Sequence, residues 1–278
     1  MIAIALTFCS GAMDVASFTR LGGVFASVMT GNIVLGGLAL ARESVTLASH
    51  TAVAIAGYVT GVAAGSRIAV GAGAGAESRA RTGTSRDGEG KDAGGRGSEG
   101  RAGGWPAHVT WTLLAELALI GGFAIGWEIT GGQPGGWAQF CLLAVAAAGM
   151  GVQSSAVVHM GLAQVSTTYL TGTLTGLVSS LVSAGPGTQD RRRRLGVLLG
   201  LAAGASLTGL LIAKAPDGAP ALPLAALITS LVLASRPPRG AGEDRGSLPA
   251  PPRMADCRAA CRLVDILSAI WVYATTLS

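Results

Sequence analysis

Two carboxylates stand where every neighbour is apolar: Asp14, inside the run 2 to 18, and Glu116, near the middle of the run 108 to 127. An ionised carboxylate in a bilayer interior costs at least about 2.5–3.5 kcal/mol on insertion scales, so each needs a partner, water or a proton. Both are candidate ion or proton sites. The structural alternative is that Asp14 caps a helix after a break, or that either residue pairs within the fold. Thr30-Gly31-Asn32 opens one apolar run and Thr171-Gly172-Thr173 opens another. A helix N-terminus exposed by a break there presents unpaired N–H groups and partial positive charge suited to an anion. Facing pairs of such ends would make a pocket; otherwise the Thr hydroxyls bond back to their own helix carbonyls. Gln153 and Ser154 stand in the second stretch where Asp14 stands in the first, which leaves no symmetric two-carboxylate site. The candidate substrate-binding set is therefore Asp14, Thr30, Gly31, Asn32, Gln153, Ser154, Thr171, Gly172 and Thr173.

The elements that must position these groups are membrane helices. Half of the 278 residues are hydrophobic and 13% are charged, with a mean hydropathy of +0.52. A soluble globule of that composition has too little polar surface to cover itself. The formal charge of +5 lies in loops and tails between apolar runs, which argues for lipid headgroups and against nucleic acid. No P-loop, HExxH or nucleophile elbow stands in context, so neither enzymatic activity nor a cofactor is expected. Cys257-x-x-x-Cys261 lacks the second ligand pair of a zinc site, and no metal is expected. Residues 2 to 8 have no basic residue before them and no clean cleavage site after them, and read as mature structure.

In chain order, first-repeat membrane helices occupy 1–70, broken after Asp14 by Gly22-Gly23, and a disordered Gly-rich linker fills 71–104. The last helix of the first repeat covers 105–127. Second-repeat helices occupy 137–235, and a tail that is disordered or a surface helix follows over 236–278. Gly57, Gly61 and Gly65 line one face of a span and Gly196, Gly200 and Gly204 line another, each a seam where a second helix can approach closely. Both triplets and the Asp14/Gln153 pair recur at one common offset, while the Thr-Gly steps differ by two residues. Internal duplication of this kind places a transporter's site at the repeat interface near the bilayer midplane.

Arg67, Arg79 and Arg81 place the linker inside the cell, the loop 128 to 136 without Lys or Arg falls outside, and Arg191-Arg192-Arg193-Arg194 belong inside. Each half then crosses three times and the halves are inverted, giving about six spans plus broken or re-entrant pieces at Thr30-Gly31 and Thr171-Gly172. The competing count is four spans in each half, a parallel repeat.

Asp14-Val-Ala-Ser-Phe, Gly23-Val-Phe-Ala-Ser-Val-Met-Thr-Gly-Asn32, Gly149-Met-Gly-Val-Gln153-Ser and Val165-Ser-Thr-Thr-Tyr-Leu-Thr-Gly-Thr-Leu174 together resemble the YoaK-like family of bacterial membrane proteins, domain of unknown function 1275, over about residues 1 to 235. The resemblance implies an all-α integral membrane protein, usually counted as six spans, with no established substrate. The expected function is a secondary transporter or permease for an unidentified small solute in the cell membrane, with linker and tail cytoplasmic. The alternative is a non-transporting membrane scaffold. Expected partners are the lipid bilayer, that solute and, as an open case, further copies of the chain.

Overall fold

The structure is a computed structural model that describes residues 1–84, 107–159, 170–182 and 188–234. These form α1 (Ile2–Arg20), α2 (Met29–Ala41), α3 (Val45–Thr84), α4 (Ala107–Ile129), α5 (Trp137–His159), α6 (Leu170–Val182), α7 (Thr188–Lys214), a 3-10 turn at Pro216–Gly218 and α8 (Ala221–Ala234). No strand occurs among the described residues. Among the described residues, six helical segments are long and apolar enough to cross a membrane: Ile2–Arg20, Val45–Gly71, Val109–Ile129, Trp137–His159, Arg191–Lys214 and Pro216–Ala234. At 1.5 Å per residue the 19 residues of α1 reach about 28 Å, close to the hydrocarbon thickness of about 30 Å. The 13-residue helices α2 and α6 reach only about 20 Å. The described residues thus form a multi-pass bundle of six candidate spans with two short helices.

Residues 71–84, expected to belong to a disordered linker, are helical. Helix α3 continues to Thr84, because Ala, Glu and Arg are strong helix formers and outweigh the interspersed glycines. Residues 85–104, the motif segment 165–169 and the tail with Cys257 and Cys261 lie outside the described residues. The second run, expected from Val24, becomes helical only at Met29. Gly22 and Gly23 adopt positive φ (91° and 74°), a conformation that costs glycine little and turns the chain back after α1.

Helices α1 and α5 are the most buried spans, with 61% and 67% of their apolar windows enclosed against 22–39% in the other four. Each is welded to another helix through glycine, α5 to α3 and α1 to α7. A Cβ on Gly57 would stand 2.7 Å from the Ala144 oxygen, and on Gly65 2.9 Å from Ser155 Cβ. At Gly61 it would land on the Ala148 carbonyl, and from the other side a Cβ on Gly151 would meet the Tyr58 carbonyl. In the second weld, Gly196 and Gly200 lie under Ile4, Gly204 under the Phe8 carbonyl and Gly11 over the Leu201 carbonyl. Both contacts are backbone against backbone, the approach that missing side chains permit.

Contact order gives the helix directions. Gly57, Gly61 and Gly65 meet successively later residues of α5, and Ile4 and Phe8 meet successively later glycines of α7, so both welded pairs run parallel. Gln139 bonds the Arg20 carbonyl while Gln153 bonds that of Leu6, which makes α1 and α5 antiparallel. Gly126 faces Leu142 and Gly149 faces Ile120, so α4 and α5 are antiparallel too. Trp127 Nε1 donates to the Pro216 carbonyl at 2.8 Å, which starts the sixth span at the C-terminal end of α4. Helices α1, α4 and α7 therefore point one way and α3, α5 and α8 the other.

These welds predict a sharp contrast among glycine variants. Gly61→Ala and Gly204→Ala should each lower unfolding stability in detergent by about 1–3 kcal/mol, the usual range for overpacking. Gly121→Ala, where an added Cβ meets nothing within 4 Å, should be neutral or slightly stabilising. Thermal unfolding of the purified variants measures both effects.

Candidate functional site at the centre of the bundle

After Arg20 the loop 21 to 28 folds back into the bundle. Its Ser27 N–H and Oγ–H donate to Asp14 Oδ1 and Oδ2 at 2.7 and 2.6 Å, and the Ala26 and Val28 N–H groups turn toward the same carboxyl. Asp14 lies six residues before Arg20, so this contact sits about 9 Å inside the end of α1. Asn32 completes the loop: its Oδ1 accepts the Phe25 N–H at 2.9 Å and its Nδ2 donates to the Phe25 carbonyl at 2.7 Å. Irregular backbone survives at membrane depth only when its polar groups are satisfied by protein. Asp14 and Asn32 supply that satisfaction, and the Asp14 charge meets the positive end of α2. The anion at this helix end is the chain's own carboxylate.

Around this loop the expected pocket residues separate. Thr30 is exposed and Gly31 packs near the Phe25 ring; of the Thr30-Gly31-Asn32 step, only Asn32 is buried. In the second copy Thr171 and Gly172 are exposed while Thr173 is buried. Thr175 bonds back to the Thr171 carbonyl at 2.9 Å, the plain helical role for such a hydroxyl. Ser154 accepts the Tyr58 hydroxyl at 2.8 Å across the α3–α5 weld. His50, at a span end, is buried and joins the Thr46 carbonyl to Gln139 Oε1.

Gln153 and Glu116 form the second half of the interior. Gln153 Nε2 donates to the Leu6 carbonyl at 2.8 Å and lies 3.4 Å from Ser10 Oγ. A carbonyl only accepts, so the amide's NH2 must face Leu6 and its Oε1 must face away. That Oε1 is buried without a partner. Glu116 shares a helix face with the buried residues Val109, Leu113, Ile120, Phe123 and Trp127. It is 0% exposed, and neither carboxylate oxygen has a hydrogen-bond partner. Because Ile120 meets Gly149 in an antiparallel pair, a residue one turn earlier on α4 stands level with one a turn later on α5, which is Gln153. Both Glu116 and Asp14 lie within electrostatic reach of the buried Cys9 on α1.

The interior therefore holds Asp14, Cys9 and Ser10 from α1, Gln153 from α5 and Glu116 from α4. Cys9 and Ser10 were not singled out from sequence. Ser10 lies four residues before Asp14, the helical spacing that puts the two on one face. No group of three or more potential metal ligands occurs among the described residues.

An all-helical bundle of six apolar spans with a polar, lipid-shielded centre defines a multi-pass integral membrane protein. Residues 2–235 match the family described as "Protein of unknown function (DUF1275)", and the chain belongs to that family. It is 28% identical over 176 residues to the UPF0700 transmembrane protein YoaK of Bacillus subtilis (strain 168), an alignment that covers 63% of this chain and 64% of that relative. No solved structure is significantly similar.

The paired bonds make Asp14 a structural keystone with a measurable cost. Asp14→Ala should lose about 3 kcal/mol of stability, two charge-assisted bonds at about 1.5 kcal/mol each. Asp14→Asn, which keeps an acceptor for the Ser27 N–H, should lose about half as much. Unfolding in lipid nanodiscs checks both; an unchanged transition for Asp14→Ala contradicts the assignment.

Proposed function

We propose that the chain is a secondary transporter or permease for a small solute, built from two inverted halves. Its site lies between α1, α4 and α5 near the bilayer midplane. The observation that carries this is the run of helix directions. In the proposed repeat α1, α3 and α4 correspond to α5, α7 and α8, and each member of a pair points opposite to its counterpart. The packing follows the same exchange: α3 on α5 answers α7 on α1, and α4 on α5 answers α8 on α1. Asp14 and Gln153 then sit on either side of the midplane, each facing the core. Inverted repeats with polar groups at their interface are the architecture of alternating access.

Orientation follows from charge. Arg67 and Arg191–Arg194 gather at one end of the bundle, where the positive-inside rule puts the cytoplasm. The linker and tail belong on that side. The opposite end carries the loop around Glu43 and Ser44, the turn at Thr130–Gly132 and the Pro216–Gly218 turn.

The scaffold alternative draws on one observation, that Asp14 and Asn32 spend their polar atoms on the loop 21 to 28. Gln153 and Glu116 separate the two. In cells overproducing the chain, the transport function predicts at least one solute whose inside-to-outside ratio moves at least about twofold and returns to baseline with Gln153→Leu at equal membrane abundance. A scaffold leaves every ratio unchanged and alters only assembly. Mass-spectrometric profiling of cells and medium decides between them.

A further inference from the structure

We propose that Glu116 is a proton-carrying site whose carboxylic acid donates to Gln153 Oε1, and that exchange of this proton drives solute movement. The coupling rests on the transport function above; the protonated Glu116–Gln153 pair does not. Glu116 is fully enclosed with both oxygens unpartnered, so something must neutralise it at bilayer depth. Among the described residues of the helices packed against α4, no cation is placed to do so. On α1 the titratable group within reach is Cys9, which is not basic. On α5 no titratable side chain occurs from 142 to 158, and on α8 none occurs from Ala221 to Ala234. Between His50 and Arg67, α3 offers only Tyr58, whose hydroxyl is given to Ser154.

A proton is the smallest neutralising charge, and it converts Glu116 from an acceptor into a donor that needs an acceptor. Gln153 Oε1 is that acceptor: buried, unpartnered, level with Glu116 and turned away from Leu6 by the bond its own NH2 makes. Two orphaned polar groups become one hydrogen bond. Loss of the proton to water entering from one side of the membrane leaves a carboxylate that needs a donor. The Gln153 NH2 serves when the amide turns over, which releases the Leu6 carbonyl and Ser10. The protonation state of Glu116 thus sets whether α5 is tied to α1, a contact between the two halves. Asp14, already held by Ser27, takes no part in the exchange.

The test is infrared spectroscopy of the purified full chain in lipid bilayers at neutral pH, which needs no knowledge of the solute. The wild type should show a carboxylic-acid C=O stretching band that shifts in D2O. The band should disappear in Glu116→Gln, persist in Asp14→Asn and move to higher frequency in Gln153→Leu, where the acceptor is gone. Glu116→Gln should fold normally, since an amide is isosteric with the neutral acid; a misfolded Glu116→Gln contradicts the proposal. So do a band that survives in Glu116→Gln, no band in the wild type, no movement in Gln153→Leu, or loss of the band on adding Na+ or K+. A band that behaves as expected while no solute ratio moves in the cell assay rejects transport and keeps the proton site.

Discussion

Backbone contact between helices is the constraint on which the bundle depends. In lipid there is no hydrophobic force to drive one apolar helix against another, so association rests on close van der Waals packing. The α3–α5 and α1–α7 welds supply it: Gly61 and Gly151 on one side, Gly11 and Gly204 on the other, each let a carbonyl approach where a Cβ would collide. Each weld joins a helix before the loop 128 to 136 to one after it. Helices α1 and α5 are enclosed at the centre of the protein.

That enclosure sets the chemistry. Polar groups on α1, α4 and α5 are shielded from lipid, and the same shielding makes each unsatisfied one expensive. The chain resolves this differently at its two carboxylates. Asp14 is met by Ser27 and serves to hold an irregular loop at membrane depth. Neither oxygen of Glu116 has a hydrogen-bond partner among the described residues, and the proposed proton site rests on that. Gln153, bonded through one end of its amide and free at the other, stands between the structural and the exchangeable part.

Much of this was legible in the residues. Composition and apolar run lengths imply a multi-pass membrane protein, and the two glycine triplets stand at the welded faces. The Gly22-Gly23 pair marks the break after α1. What was not legible depends on tertiary contact. The start of α2 at Met29 follows from the loop folding back onto Asp14, which no local pattern encodes. Thr30 and Thr171 each open a Thr-Gly step yet are exposed, because a local sequence pattern does not specify which side of a short helix meets the core. Ser10 and Cys9 are ordinary small residues in an apolar run and acquire meaning only from the register of α1 against α4 and α5. The extension of α3 to Thr84 shows helix propensity prevailing where glycine content suggested none.

The inverted arrangement is tested most directly by sidedness. With the native cysteines replaced, Ser44→Cys and Thr188→Cys are each labelled in intact cells with a maleimide that cannot cross the membrane. The account predicts that Ser44→Cys reacts at once and that Thr188→Cys reacts only after the membrane is permeabilised. Labelling of both positions from the same side contradicts it.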